Sequence, residues 1–117
     1  MTPTDLLGSL RVAVTIADEE YRIIFMNDLA IEHYATRGGE ALVGSDLFEC
    51  HSTESQAVLH WMYARYRAGD LAPTRYREAK GDGLWRSTVM IPWVVEGRFR
   101  GVVELGWHEC PDLVFEE

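Results

Sequence analysis

The stretch 16-IADEEYRIIFMNDLA-30 decides how the rest of this chain is read. Leading into it, 11-RVAVTIA-17 sets Val12, Val14 and Ile16 at every second position and is rich in β-branched side chains, the pattern of a strand. The polar run 18-DEEY-21 supplies a turn, and 21-YRIIFMN-27 resumes the strand signal, so the two runs form a β-hairpin. Asn27 and Asp28 are natural helix caps; Leu29, Ile31 and Tyr34 behind them predict a short helix over 28–35 that stops before Gly38-Gly39. A hairpin feeding directly into a capped helix is the opening unit of the chain.

Ahead of the hairpin, 1-MTPTDLLGSL-10 offers Thr4 or Asp5 as the cap of a leading helix whose Leu6, Leu7 and Leu10 need an apolar partner. Behind it, 40-EALVG-44 predicts one further helical turn. The clearest helix is 53-TESQAVLHWMYARYRAG-69: Thr53 and Glu54 open it, Arg65 and Arg67 occupy its last turns, and Gly69 stands at the C′ position. Its buried stripe is Leu59, Met62, Tyr63 and Tyr66. Three strands follow, 73-PTRYREAK-80, 84-LWRSTVMIPWVV-95 and 98-RFRGVVELGWH-108, joined through Gly81-Asp82-Gly83 and Glu96-Gly97 by connections short enough to require antiparallel pairing. Two strands, small helices, one long helix and three strands make an α+β domain with one antiparallel sheet and helices over one face.

A chain of 117 residues, 47% hydrophobic and 26% charged, has the size and composition of one soluble globular domain. It has no run of 18 apolar residues and no basic, apolar leader, so a cytoplasmic location is expected. Acidic residues outnumber Lys and Arg by 19 to 11, which argues against partners held by phosphate neutralisation: neither nucleic acid nor an anionic membrane is expected. Cys50 and Cys110 are read as free thiols.

The order of these motifs resembles the PAS family. The stretch 16–30 is similar to that family's opening hairpin, Asp-led turn, Asn and small helix; 42-LVG-44 to the glycine closing its connecting helix; and 100-RGVVELGW-107 to its last strand. Within the family, a group with a Cys-His pair at the start of the long helix and a glycine ending it is similar to 50-CHSTESQAVLHWMYARYRAG-69. Serine and threonine stand here where that group often carries prolines. The resemblance implies a PAS-like five-stranded antiparallel sheet with helices on one face, enclosing a small cavity. It divides the chain into a leading helix over 1–10, a PAS-like sensor domain over 11–109 and a tail over 110–117.

Adjacent Cys50 and His51 send their side chains apart, which disfavours a nucleophile with its base, and no enzymatic activity is expected. The chain has no Cys-x-x-Cys or His-x-x-x-His spacing for a structural metal. A haem needs only one axial ligand, for which an inward His51 or Cys50 would suffice, with walls from Phe48, Leu59, Met62 and Tyr63. The alternative is that Cys50 packs as a small apolar side chain while His51 hydrogen-bonds the chain entering the helix. His60 shares a polar face with Gln56, Ala64 and Arg67 and is expected at the surface. A flavin photosensor of this family needs a cysteine in the run that here reads 27-NDLAIEHYA-35, so flavin is not expected.

On the second of the last three strands, Trp85, Ser87, Val89, Ile91 and Trp93 share one face, and Leu84, Arg86, Thr88, Met90 and Pro92 the other. The first set is apolar enough to need cover, which Trp107 and Leu6, Leu7 and Leu10 of the leading segment can supply within one chain or across a two-fold axis; for the set together a dimer interface is expected. The sequence thus reads as a sensory or signalling module that binds a small ligand between sheet and long helix and forms a homodimer for some output protein. A haem-based gas or redox sensor and a ligand-free interaction module are the alternatives.

Overall fold

A computed structural model describes residues 1–81 and 83–109, and of Cys50 the backbone alone. The tail over 110–117, with Cys110, and Asp82 of the glycine turn lie outside the described residues. Strands β1 (Ala13–Asp18), β2 (Ile23–Met26), β3 (Thr74–Gly81), β4 (Leu84–Val95) and β5 (Arg98–His108) form one antiparallel sheet in the order β2-β1-β5-β4-β3. Helices α1 (Pro3–Ser9), α2 (Asp28–His33) and α3 (Thr53–Arg67) accompany it, with three single 3-10 turns at Ala35–Arg37, Gly39–Leu42 and Leu47–Cys50. The sequence predicts the second of these turns and not the other two.

The opening hairpin turns on Asp18, whose Oδ1 accepts hydrogen bonds from the amides of Glu20 at 2.9 Å and Arg22 at 3.0 Å. Asn27 does more than cap α2. Only 1% exposed, it accepts from the amides of Val14 at 2.9 Å and Ala30 at 3.0 Å, and donates to the carbonyls of Val12 at 2.7 Å and Leu7 at 3.2 Å. One side chain therefore joins α1, β1, β2 and α2. In β5, Gly101 pairs with Asp18 at φ 154°, and a Cβ there would overlap the Ala17 carbonyl oxygen, so no other residue lets β1 approach so closely.

Pairing registers put Ala13, Thr15, Ala17, Val102, Glu104, Thr88 and Met90 on the inner face of the sheet, all of them buried. Leu59, Met62, Tyr63 and Tyr66 of α3 cover it, the stripe predicted from the sequence. Burying a side chain of the size of Leu59 or Met62 stabilises by about 1.5–3 kcal/mol. The two tyrosines also fix the tilt of α3: Tyr63 donates to the Asp18 carbonyl at 3.0 Å, and Tyr66 reaches the Met90 carbonyl at 3.2 Å and Thr74 Oγ1 at 3.0 Å.

Two caps differ from expectation. Thr2, not Thr4 or Asp5, caps α1, because Pro3 suits the first helical position and Asp5 closes a capping box back onto Thr2. Ser52, not Thr53, caps α3. No residue of α1 is buried; Leu6 is 49% exposed, and Leu7 and Leu10 are half-buried. The outer face of the sheet carries half-buried Ile16, Val89, Ile91, Val103, Leu105 and Trp107, with Trp85 and Trp93 exposed at 40% and 37%.

Candidate functional site

The segment preceding α3 turns twice in quick succession. Asp46 Oδ1 accepts from the Phe48 amide at 2.8 Å to start the Leu47–Cys50 turn, and Ser52 Oγ accepts from the Ser55 amide at 3.3 Å to start α3. His51 stands between the two in an extended conformation, at φ −123° and ψ 148°. Gln56 locks the connection from one turn along, donating to the carbonyls of Phe48 at 3.1 Å and His51 at 3.2 Å. The His51 ring is thereby aimed inward, its side chain 7% exposed.

His51 Nδ1 lies 2.9 Å from the Leu47 carbonyl; a carbonyl only accepts, so Nδ1 carries the proton. Nε2 then faces Glu104 Oε2 at 3.9 Å. Glu104 is 5% exposed, on the inner face of β5; Tyr34 donates its hydroxyl to Oε1 at 2.7 Å, while Oε2 has no hydrogen bond among the described residues. With Nδ1 committed, a neutral His51 presents a lone pair to an ionised carboxylate. The pair attracts only when imidazole and carboxylate share an additional proton or when a donor stands between them.

His51 borders a cleft of about 340 Å³ between α3 and β3, with Glu104 behind it. Val58, Leu59 and Met62 form its apolar wall, and His51, Tyr76 and Glu78 its polar one. An adjoining cleft of about 270 Å³ shares His51, Ser52, Ser55, Tyr76 and Glu78 and continues past Tyr34 to Arg37 and Lys80. Burial, and then the negative charge of Glu104, push the Tyr76 phenol above its ordinary range, so it remains a protonated donor.

Of the residues the sequence nominates for a ligand, the fold brings His51, Leu59 and Met62 together at this cleft. The side chain of Cys50 lies outside the described residues. Phe48 and Tyr63 belong instead to an aromatic cluster filled by Tyr21, whose ring lies 4.7 Å from Phe48 and 4.2 Å from Tyr63. His60 is exposed as expected, yet its ring stacks on Phe48 at 4.4 Å. Glu104, Tyr34 and Tyr76 are absent from the nominations; the available signal is that Glu104 interrupts an inward-facing alternation of Val102 and Gly106 with a carboxylate.

Haem does not suit this arrangement. A metal–imidazole bond of about 2 Å from Nε2 would set the iron, and the plane of its macrocycle, in the 3.9 Å gap already bounded by Glu104. Among the described residues, no group of three or more His, Cys, Asp or Glu side chains is arranged to hold a metal ion. No helix among them is long and apolar enough to cross a membrane.

No family model matches the chain, and no curated protein matches it. Solved structures do. The PAS domain of Bordetella pertussis BvgS is 15% identical over 92% of this chain and 83% of that one, with a TM-score of 0.69. A sensory box sensor histidine kinase from Vibrio cholerae is 18% identical over 93% and 90%, at 0.64, and a PAS domain from Colwellia psychrerythraea 15% identical over 89% and 91%, at 0.67. At such identities the likeness is one of fold: the chain has the PAS-like α+β fold.

Proposed function

We propose that this PAS-like domain is a sensory or signalling module that holds a small organic molecule in the cleft between α3 and β3. The observation that carries the reading is the His51–Glu104 pair. A buried carboxylate oxygen without a hydrogen bond costs several kcal/mol of solvation, and here it stands behind His51, which lines a cleft with one apolar and one polar wall. A ligand N–H or O–H reaching Glu104 Oε2 past His51 would remove that cost, while an apolar body would rest on Val58, Leu59 and Met62. Such a division of labour is usual for small-molecule sites of roughly 300–1,000 Å³. Tyr34 then links the ligand to α2, and Asn27 links α2 to α1, the element whose exposed Leu6 and half-buried Leu7, with Trp85, Trp93 and Trp107, would meet a second copy in a homodimer.

The ligand-free interaction module remains as the second reading, favoured by the way Tyr21 fills the space between Phe48 and Tyr63. The two are separated by a thermal-shift screen of small metabolites and haem on the wild type and on His51→Ala. A compound that raises the melting temperature of the wild type and loses at least severalfold in affinity with His51→Ala supports the sensor. A flat response in both proteins leaves the interaction module.

A further inference from the structure

We propose that a second cleft, between α2 and the adjoining ends of β1, β4 and β5, binds a small singly charged carboxylate through Arg86, independently of the cleft beside His51. Arg86 projects from the inner face of β4 and is 4% exposed. Its Nε is buried without a hydrogen bond among the described residues. A guanidinium cannot shed its proton to escape burial, so an uncompensated one is among the costliest groups a core can hold.

No carboxylate among the described residues, Glu32 of the same cleft included, forms an ion pair with it. Glu78, directly across the β3–β4 ladder from Arg86, pairs with Lys80 at 3.4 Å. Glu109 accepts from Arg77 and from Ser87 Oγ. Glu104 holds the Tyr34 hydroxyl with Oε1 and sets Oε2 3.9 Å from His51 Nε2. The fold nevertheless makes room for the cation: Gly106 lies where any Cβ would overlap the guanidinium.

Arg86 lines a cleft of about 430 Å³ with Arg11, Leu29, Glu32, His33 and His108. Burial, and then the positive charge of Arg86, hold the His33 imidazole at about 4, so at neutral pH it is an uncharged hydrogen-bonding group. The charges facing the cleft are then Arg86 and Arg11 against Glu32, which suits one carboxylate and not a phosphate dianion. The planar guanidinium matches a carboxylate in bidentate fashion, and Ala13 and Leu29 offer an apolar floor to a short aliphatic or aromatic body.

The test titrates the full chain at fixed ionic strength with butyrate and benzoate, with the neutral amides of both acids, and with inorganic phosphate, reading melting temperature and calorimetric heat. The acids are expected to bind and their amides not. Arg86→Met keeps the stem and removes the charge; it should weaken acid binding by about 10- to 100-fold, the worth of a charge-assisted bond, and leave the free protein at least as stable. Should Arg86→Met fail to fold, Arg11→Gln and His33→Gln at the rim must each weaken binding severalfold, whereas Arg98→Gln on the far surface must not. Equal binding of acid and amide, stronger binding of phosphate, no binding at all, or binding indifferent to these variants would overturn the proposal.

Discussion

Asn27→Ala is the perturbation that most directly tests how this domain is tied together. The substitution removes four hydrogen bonds and a side chain that is 1% exposed. The amides of Val14 and Ala30 are the costly losses, because both bonds are buried and each orphaned group costs about 1–3 kcal/mol. The carbonyls of Leu7 and Val12 are only partly buried and turn to water at little cost. The expected total is about 2–5 kcal/mol, a large share of the roughly 5–15 kcal/mol by which a domain is stable. Ser52→Ala removes an ordinary exposed cap and should cost about 1 kcal/mol. With a urea slope of about 1–3 kcal/mol per molar, the Asn27 variant should unfold on the order of 1–3 M earlier than the wild type. It should also free α1, so that a protease cuts within residues 1–10 sooner. A midpoint shift no larger than that of Ser52→Ala would show that Asn27 is a simple cap and that α1 is held by other means.

Leu59→Ala, at the apolar wall of the cleft and in the core, should cost about 2–5 kcal/mol in denaturant, whereas His60→Ala should lose about 0.5–1.5 kcal/mol for its stacking on Phe48; equal losses would mean that α3 presents a different face. His33 gives the domain an acid-sensitive range. Its folded value near 4 lies below the 6.5 of the free side chain, so between these pH values the unfolded chain binds the proton that the folded chain refuses. Stability should be full above pH 6.5 and decline as the pH falls toward 4, by about 1 kcal/mol once solvent screening of the half-exposed ring is counted. His33→Gln should flatten that part of the pH–stability curve, and an unchanged slope would assign it to other groups. For the outer face, the wild type should sediment as a dimer and Trp93→Glu or Leu7→Glu as a monomer, since a charge set against its own copy is both desolvated and repelled; a wild type that remains monomeric at high concentration removes the reading.

The chain's local elements are legible in its sequence because their causes are local. Alternation marks β4 and β5 to the residue, and the stripe of Leu59, Met62, Tyr63 and Tyr66 gives the buried side of α3. Asp18 and the capping bond of Asn27 to Ala30 act within a few residues, which is why the hairpin and the entry to α2 read correctly, and even the misplaced caps are errors of one to three residues.

The site is another matter. Phe48 and Tyr63 have the same apolar character as Leu59 and Met62, but the Leu47–Cys50 turn and α3 bring Phe48 and Tyr63 against Tyr21, while Leu59 and Met62 line the cleft beside β3. Glu104 meets Tyr34, 70 positions away, only because β5 lies between β1 and β4 in one register. A slip of a single residue would turn Glu104 and Arg86 to the outer face among the tryptophans. Local chemistry sets each strand and helix, whereas the pairing of distant strands, chosen by burial of the whole inner face at once, selects which charged groups end up inside.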